Sequence, residues 1–420
     1  MFQKILIANR GEIARRINNA AQEMGIQTVA VYSDPDHDSL IVKEADEAVC
    51  LNGIESRETY LDIDKIIEAA LSTGAQAIHP GYGFLSENAA FAEACEKSHL
   101  KFIGPPLSSI RLLGSKVASK KLAQEAKVPT VPGFEGEIPK GEALQKLADS
   151  IGYPLLIKAA AGGGGKGMRV AHNASELEEM VEGAEREALA FFKDKTLFLE
   201  KYFQGPKHIE VQVLGDEHGN LIHLFERECS VQRRHQKMIE ETPSPSLSET
   251  QRKEICDAAL RVVKAVGYTS AGTVEFILDS SGNFYFLEVN TRLQVEHPIT
   301  EMVTGVDLVK AQIRIAAGEK LWLKQEDVFQ RGHAIECRLY AENPENQFLP
   351  SEGSVALLNE PIRPGVRIDS ALQQGKPILP FYDPMLAKLI TWDENRTKCI
   401  FKMDRLLQDY TLLGIPHNLD

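Results

Sequence analysis

Thr273-Val274-Glu275-Phe276-Ile277-Leu278-Asp279, Ser280-Ser281-Gly282-Asn283 and Phe284-Tyr285-Phe286-Leu287-Glu288-Val289-Asn290 follow one another without a break. Two runs of β-branched and aromatic residues flank a polar, glycine-bearing tip, which is the pattern of a β-hairpin. With its tip at Ser281-Gly282 the hairpin sets Glu275 opposite Glu288. Like charges across a strand pair cost up to about 1 kcal/mol unless a cation or a shared proton relieves them. Side chains alternate along a strand, so Asn290 and Arg292 fall on the face of Glu288. Glu275, Glu288 and Asn290 then form a set of hard oxygen ligands suited to Mg²⁺. The alternative is two solvated glutamates on an outer face, and a tip one residue longer would break the register.

Downstream lies Thr291-Arg292-Leu293-Gln294-Val295-Glu296-His297-Pro298. Arg292 can clamp a small carboxylate or bicarbonate through two parallel hydrogen bonds, and Glu296 is a candidate general base beside a cationic, metal-bearing site. His297, ahead of a proline, reads as structural.

Upstream, a strand over 154–160 runs into Gly162-Gly163-Gly164-Gly165-Lys166-Gly167 and then Met168-Arg169-Val170-Ala171. Such a run lets successive backbone N–H groups converge on an anion, and Lys166 adds a point charge, which together suit a polyphosphate. A dinucleotide fingerprint must open a helix, whereas 168–171 reads as a returning strand with helix signals only from Ser175. Gly167 also stands where a Walker A loop needs Ser or Thr. A flap closing over phosphates fits; a plain mobile hairpin tip is the alternative. Lys158, inside the preceding strand, becomes a phosphate ligand in that setting. In Leu197-Phe198-Leu199-Glu200-Lys201 an apolar strand ends in two charges placed to meet an adenine edge. His208, Glu210 and Gln212 alternate with Ile209, Val211 and Val213, so they share one polar strand face. Gln232-Arg233-Arg234-His235-Gln236-Lys237 is a basic island, short enough to favour an anion pocket over a nucleic-acid patch.

The first hundred residues alternate strands (4–9, 28–32, 77–79, 101–103) with helices (13–24, 63–71, 88–97), a βαβ series that predicts a parallel sheet. Ligands of such sheets lie beyond the carboxyl ends of strands, where Asn9-Arg10-Gly11-Glu12 and His79-Pro80-Gly81-Tyr82-Gly83 fall. Prolines and glycines between 104 and 140 mark one boundary, and a second falls near 318–333. Ser248-Glu249-Thr250-Gln251 reads as a capping box opening a helix whose stripe is Ile255, Ala259, Val262, Val263 and Val266.

The chain's 420 residues suit two to three domains. Its 43% hydrophobic content excludes wholesale disorder, and the formal charge of −13 excludes a polyanion-coating protein. Six scattered cysteines with no C-x-x-C pair suggest reduced thiols. No apolar run approaches the length of a membrane span, and the opening residues hold no signal peptide.

Lys116, Lys158, the glycine run, Glu200-Lys201, the run 230–237, the run 288–298, Ile7-Ala8-Asn9-Arg10-Gly11-Glu12-Ile13-Ala14, the run 79–87 and Tyr382-Asp383-Pro384-Met385 together closely resemble biotin carboxylase, the ATP-grasp component of acyl-CoA and pyruvate carboxylases. The resemblance runs from residue 2 to about residue 415. It implies an α/β and α+β architecture in three parts. These are a Rossmann-like parallel βαβ pre-ATP-grasp domain (1–114), an ATP-grasp domain (115–330) with a glycine-rich flap at about 131–203, and a mostly β C-terminal domain (331–420).

The family's chemistry makes carboxyphosphate from ATP and bicarbonate and passes CO₂ to the ureido nitrogen of biotin. Carried onto matching positions, it gives Lys116, Lys158, Gly164, Gly165, Lys166, Gly167, Glu200, Lys201, His208, Gln232, His235, Glu275 and Glu288 to ATP. Glu275, Glu288 and Asn290 go to Mg²⁺ or Mn²⁺, and Lys237, Arg292, Gln294 and Val295 to bicarbonate. Glu296 is the base that deprotonates bicarbonate, and Arg338 stabilises the biotin enolate. Biotin would arrive on a biotin carboxyl carrier protein or domain and leave to a carboxyltransferase component. A homodimer or a larger carboxylase is implied, in the cytoplasm, or in the mitochondrial matrix after removal of a transit peptide. Family members continue for a few helical turns past residue 420. The rivals are an ATP-grasp ligase for another carboxylate and a dinucleotide-dependent oxidoreductase, which requires a helix starting at Gly167.

Overall fold

The computed structural model describes residues 1–136, 138–159, 168–192 and 196–419. Five parallel strands open it: β1 (Lys4–Ile7), β2 (Gln27–Tyr32), β3 (Glu47–Cys50), β4 (Ala77–His79) and β5 (Lys101–Phe102), in the spatial order β3-β2-β1-β4-β5. Ile5, Leu6, Ile7, Val29, Ala30, Val31 and Ile78 are fully buried, as expected where helices cover both faces. The sequence pattern missed β3, a half-exposed edge strand of four residues that pairs with β2 in parallel. The loops after β1 and β4 lie at the carboxyl edge, and Asn9 ties them by donating to the carbonyls of Pro80 and Tyr82 at 2.7 and 2.8 Å.

A small antiparallel sheet follows: β6 (Gly133–Gly136), β7 (Leu155–Ala159), β8 (Arg169–Ala171) and β9 (Leu197–Lys201), ordered β6-β9-β7-β8. Ile157 pairs with Arg169 and Leu155 with Ala171, so the chain returns along β7 as a strand. The next helix begins only at Ala174. That rules out the helix from Gly167 on which an oxidoreductase reading depends. Gly164, Gly165, Lys166 and Gly167 themselves lie outside the described residues.

The third sheet positions the chemistry. Its strands are β10 (Lys207–Gly215), β11 (Leu221–Arg233), β12 (Gln236–Thr242), β13 (Ser270–Leu278), β14 (Phe284–Asn290), β15 (His333–Tyr340), β16 (Val366–Ser370) and β17 (Met385–Asp393). They lie side by side as β14-β13-β10-β11-β12-β15-β17-β16. β12 and β15 pair across the boundary read near 318–333, with Glu240 opposite Glu336. The chain connection there does not interrupt the sheet. Helix Glu249–Lys264 starts with both hydrogen bonds of the Ser248–Gln251 capping box and packs Ile255, Ala259, Val262 and Val263 against Val211, Val274 and Phe276. Each such buried Ile, Val or Phe side chain contributes about 1.5–3 kcal/mol.

The β13–β14 hairpin corrects one step of the sequence reading. Its loop has three residues, Ser280 to Gly282: Asp279 N–H donates to Asn283 O at 2.9 Å, and Gly282 takes a left-handed φ of 85°. A three-residue loop closes in this way, with a residue of positive φ last. Near the tip Leu278 therefore faces Phe284, and Phe276 faces Phe286. A β-bulge between Glu275 and Phe276 then absorbs one residue on β14, so Glu275 faces Glu288 after all. The longer tip and the bulge cancel.

Candidate active site

Charged residues from several strands of the wide sheet converge, and Lys237 stands at their centre. Its Nζ donates to Glu210 Oε2 at 2.5 Å, Glu296 Oε1 at 2.7 Å and Glu275 Oε1 at 2.9 Å. These three carboxylates come from β10, β13 and the segment after β14, so no local pattern joins them. Arg227 on β11, fully buried, donates through Nε to Glu210 Oε1 at 2.5 Å and through Nη1 to Gln212 and Thr300. Arg338 on β15 places Nη2 3.0 Å from Glu296 Oε2 and Nε 2.7 Å from Glu240 Oε1. Glu296, itself fully buried, thus has a cation on each oxygen. Burial pushes its carboxyl up, yet Lys237, Arg338 and Arg227 together hold it well below the ordinary carboxylate range. Burial opposes the charge on Lys237 as well, and Glu210, Glu275 and Glu296 overcome it.

The predicted metal pair shows the opposite split. Burial pushes Glu275 up, but Lys237 and His208, whose Nε2 lies 2.9 Å from Glu275 Oε2, carry it far below its usual value. Glu288 opposite is raised by burial and by the Glu275 charge, with only partial relief from Lys116, exposed at the start of helix Lys116–Glu125. A carboxylate whose ionisation is opposed by its neighbour is one that a bound cation would stabilise, so Glu275 and Glu288 fit a divalent ion. As placed, Asn290 turns Nδ2 to Glu275 Oε1 at 2.9 Å and Oδ1 to Arg292 Nη2 at 3.1 Å; a cation on Glu275 would take its oxygen only after the amide turns over. His208, Glu210 and Glu275 also cluster closely enough to share an ion. Glu210, however, already spends both oxygens on Arg227 and Lys237.

Arg292 extends the cluster to the loop after β4. Its Nε donates to Glu87 Oε2 at 2.7 Å, and its Nη1 to Gln294 Oε1 at 2.9 Å. Gln294 donates in turn to Glu275 Oε1 at 3.2 Å. A cavity of about 360 Å³ opens beside them, lined by Arg292, Val295, Arg338, Tyr82, Glu12 and Met385 among others.

The remaining expected ligands stand apart. Lys158 Nζ donates to Glu200 Oε2 at 2.5 Å across the flap sheet, and Lys201 Nζ donates to the carbonyls of Gly152 and Tyr153. Gln232 donates to Cys229 O at 2.8 Å. His235 sits exposed beside Arg234 in the two-residue β11–β12 turn, both with positive φ. The basic island is therefore a hairpin tip from which only Lys237 points into the cluster. Arg233 pairs instead with Glu342 and lies over the Phe348 ring.

Sequence reasoning missed Arg227, Glu240 and Glu336. The signal existed only as register: Arg227 faces Glu210 and Glu336 faces Glu240 across strands. Glu336 is fully buried with neither oxygen hydrogen-bonded among the described residues. Burial pushes Glu240 up to about 7 against the pull of Arg338, and pushes Glu336 well above the carboxylate range. A carboxyl raised by folding keeps its proton in the native state while the unfolded chain releases it, so stability falls as pH rises from about 4.5 through the raised value. Glu336→Gln is therefore expected to gain stability relative to the parent as the pH rises from 5 to 8. Parallel chemical denaturation at the two pH values measures the difference.

The sequence matches three family models: biotin carboxylase N-terminal domain over residues 1–110, carbamoyl-phosphate synthase L chain ATP-binding domain over 115–324, and biotin carboxylase C-terminal domain over 336–420. A biotin carboxylase of Nostoc sp. is 52% identical over 415 residues, covering 99% of this chain and 93% of that one. The mitochondrial methylcrotonoyl-CoA carboxylase subunit alpha of Mus musculus is 51% identical over 418 residues, 99% of this chain but 58% of that protein. This chain therefore spans little more than half the length of such carboxylase subunits. Among solved structures, the biotin carboxylase domain dimer of Hydrogenobacter thermophilus 2-oxoglutarate carboxylase, in complex with MgADP, ADP and bicarbonate, superposes with a TM-score of 0.92 at 48% identity, covering 100% of this chain and 92% of that one. With parallel sheet, flap sheet and ionic cluster all carried by a sequence this similar over nearly its whole length, the chain belongs to the biotin carboxylase family.

Proposed function

We propose that this chain uses ATP and bicarbonate to carboxylate biotin presented on a carrier protein or domain, the first half-reaction of a biotin-dependent carboxylase. One observation carries the reading: the buried Glu296 carboxylate is held ionised by Lys237 and Arg338 beside a cavity lined by Arg292 and Arg338. Bicarbonate is a poor nucleophile until it loses its proton, and an ionised carboxylate within an anion-binding ring is the group to take it.

The cations tune that base. While Lys237 and Arg338 rest on Glu296 its proton affinity is low. An anion bound by Arg292, Gln294 and Val295 competes for Lys237, and each interaction withdrawn from Glu296 raises its basicity at the moment it is needed. Arg338, at the cavity wall, would then stabilise the oxyanion of the biotin enolate.

Glu275 and Glu288, with Asn290, would hold Mg²⁺ or Mn²⁺, which supplies charge neutralisation for a polyphosphate when bound. Lys116, Lys158, Gly164, Gly165, Lys166, Gly167, Glu200, Lys201, His208, Gln232 and His235 would hold ATP, with the flap closing so that Lys158 exchanges Glu200 for phosphate. The working division is 1–114, 115–330 and 331–420. The carboxyltransferase component and a second copy of the chain complete the assembly, in the cytoplasm or the mitochondrial matrix. Among the described residues no helix is long and apolar enough to cross a membrane. Another ATP-grasp ligase would need its own carboxylate site, whereas Lys237, Arg292 and Gln294 offer donors suited to a small planar anion.

The test is ATP turnover with Mg²⁺, bicarbonate and free biotin. Biotin is expected to accelerate ADP release, and Arg338→Ala to remove most of that acceleration while leaving ATP binding intact. Turnover indifferent to both biotin and bicarbonate would sink the assignment.

A further inference from the structure

Two sequence runs remain without a role in this chemistry: Asn9-Arg10-Gly11-Glu12, after β1, and Asp383-Pro384-Met385-Leu386-Ala387-Lys388, leading into β17. They meet at one fully buried cation. Lys388 is 0% exposed. Its Nζ donates to the carbonyl oxygen of Val295 at 3.1 Å and lies 3.2 Å from Glu12 Oε2 and 3.5 Å from Asp369 Oδ2. It also lies 5.7 Å from the centre of the Tyr82 ring. One side chain thus reaches the first turn of helix Gly11–Glu23, the loop after β4, the segment after β14, and β16.

The Val295 carbonyl is the informative contact. It belongs to the peptide unit whose other half is the N–H of Glu296, and that unit is planar. Fixing the carbonyl fixes the plane from which the Glu296 side chain departs. Among the described residues the Glu296 side chain is hydrogen-bonded by Lys237, Arg338 and the Cys229 thiol, and in the proposed reaction both cations also serve substrate. Lys388 donates to the backbone carbonyl next to that residue instead. Asp369 has a second partner, bonded by Arg367 through Nε and Nη2 at 2.8 Å, so Lys388 is not needed to neutralise it. Glu12 has no other ion-pair partner among the described residues, and neither of its oxygens is hydrogen-bonded there.

We infer that Lys388 is a positioning residue for Glu296: anchored by Glu12, it holds the Val295–Glu296 peptide so that the carboxylate faces the bicarbonate site. The inference rests on the function proposed above. A misplacement of about 1 Å at a reacting group can cost a hundredfold in rate, so the effect belongs in bicarbonate-dependent turnover and not in nucleotide binding.

The experiment compares the parent chain with Lys388→Met, Lys388→Arg and the double variant Glu12→Gln/Lys388→Met, each normalised to its folded fraction. Lys388→Met is expected to lower kcat/KM for bicarbonate at least tenfold, with the KM for ATP within twofold of the parent. Lys388→Arg, which keeps the donor, should recover part of the loss. The double variant removes both charges and so restores thermal stability, while the bicarbonate defect persists. That last split separates positioning from simple charge balance, and the double variant supplies the reading if Lys388→Met does not fold. A folded variant with kcat/KM for bicarbonate equal to the parent's, or a double variant in which stability and turnover recover together, overturns the inference alone. A parent chain indifferent to bicarbonate overturns the proposed function, and this inference with it.

Discussion

Glu296→Gln is expected to lower bicarbonate-dependent ATP turnover by about 10²–10⁴-fold, the usual contribution of a positioned general base. Glutamine keeps the shape but cannot take a proton, and its amide can accept from only one of Lys237 and Arg338. It also removes the negative charge that Lys237 and Arg338 share, and leaves Lys237 on Glu210 and Glu275, and Arg338 on Glu240. The fold should therefore survive, and ATP binding should change little. Steady-state kinetics with bicarbonate varied, beside a nucleotide-binding titration, separates the two effects. Wild-type-like turnover in a folded Glu296→Gln protein would assign the base elsewhere.

Arg227→Met should have the largest effect on stability. Arg227 is fully buried, and its guanidinium serves Glu210, Gln212, Thr273 and Thr300 at once. Removing one member of a buried ion pair leaves the other charge without compensation, at a cost of about 3–5 kcal/mol. Glu210 would retain Lys237 but lose the cation on its other oxygen. Denaturant unfolding measures the loss, and adding Glu210→Gln should recover part of it, because the orphaned charge then disappears. A loss below about 1 kcal/mol would mean that water or another cation replaces the guanidinium. Since Lys237 would then settle more fully on Glu210, bicarbonate-dependent turnover should also fall in the folded fraction.

The two variants probe different depths of one cluster, and the sequence foretold those depths unequally. Glu296 and Arg292 were legible because they follow a hairpin whose alternation assigns faces, and a carboxylate next to predicted cation ligands has few other uses. The pairing of Glu275 with Glu288 was legible for a partly wrong reason. Its assumed two-residue tip is a three-residue loop, and a bulge at Glu275/Phe276 restores the register. Bulges depend on how a strand twists against its neighbours, and nothing in the local residue pattern announces one. Arg227, Glu240, Glu336 and Lys388 were not legible, because a lone charge in a strand is by itself most often half exposed.

The sequence by itself determined the elements and their chemistry. The βαβ rhythm of the first hundred residues, the returning strand after the glycine run, the capping box at Ser248 and the oxygen-rich face of the hairpin are local patterns, set by side-chain periodicity and turn residues within a few positions. Tertiary structure alone decided what those elements share. It continued one sheet from β12 into β15, brought Lys237 among three carboxylates from three segments, and placed Lys388 against the Val295 carbonyl. The physical reason is that burial multiplies the strength of charge interactions while removing water as a substitute partner. Which charges end up buried together depends on strand order and register, and these join residues far apart in the chain.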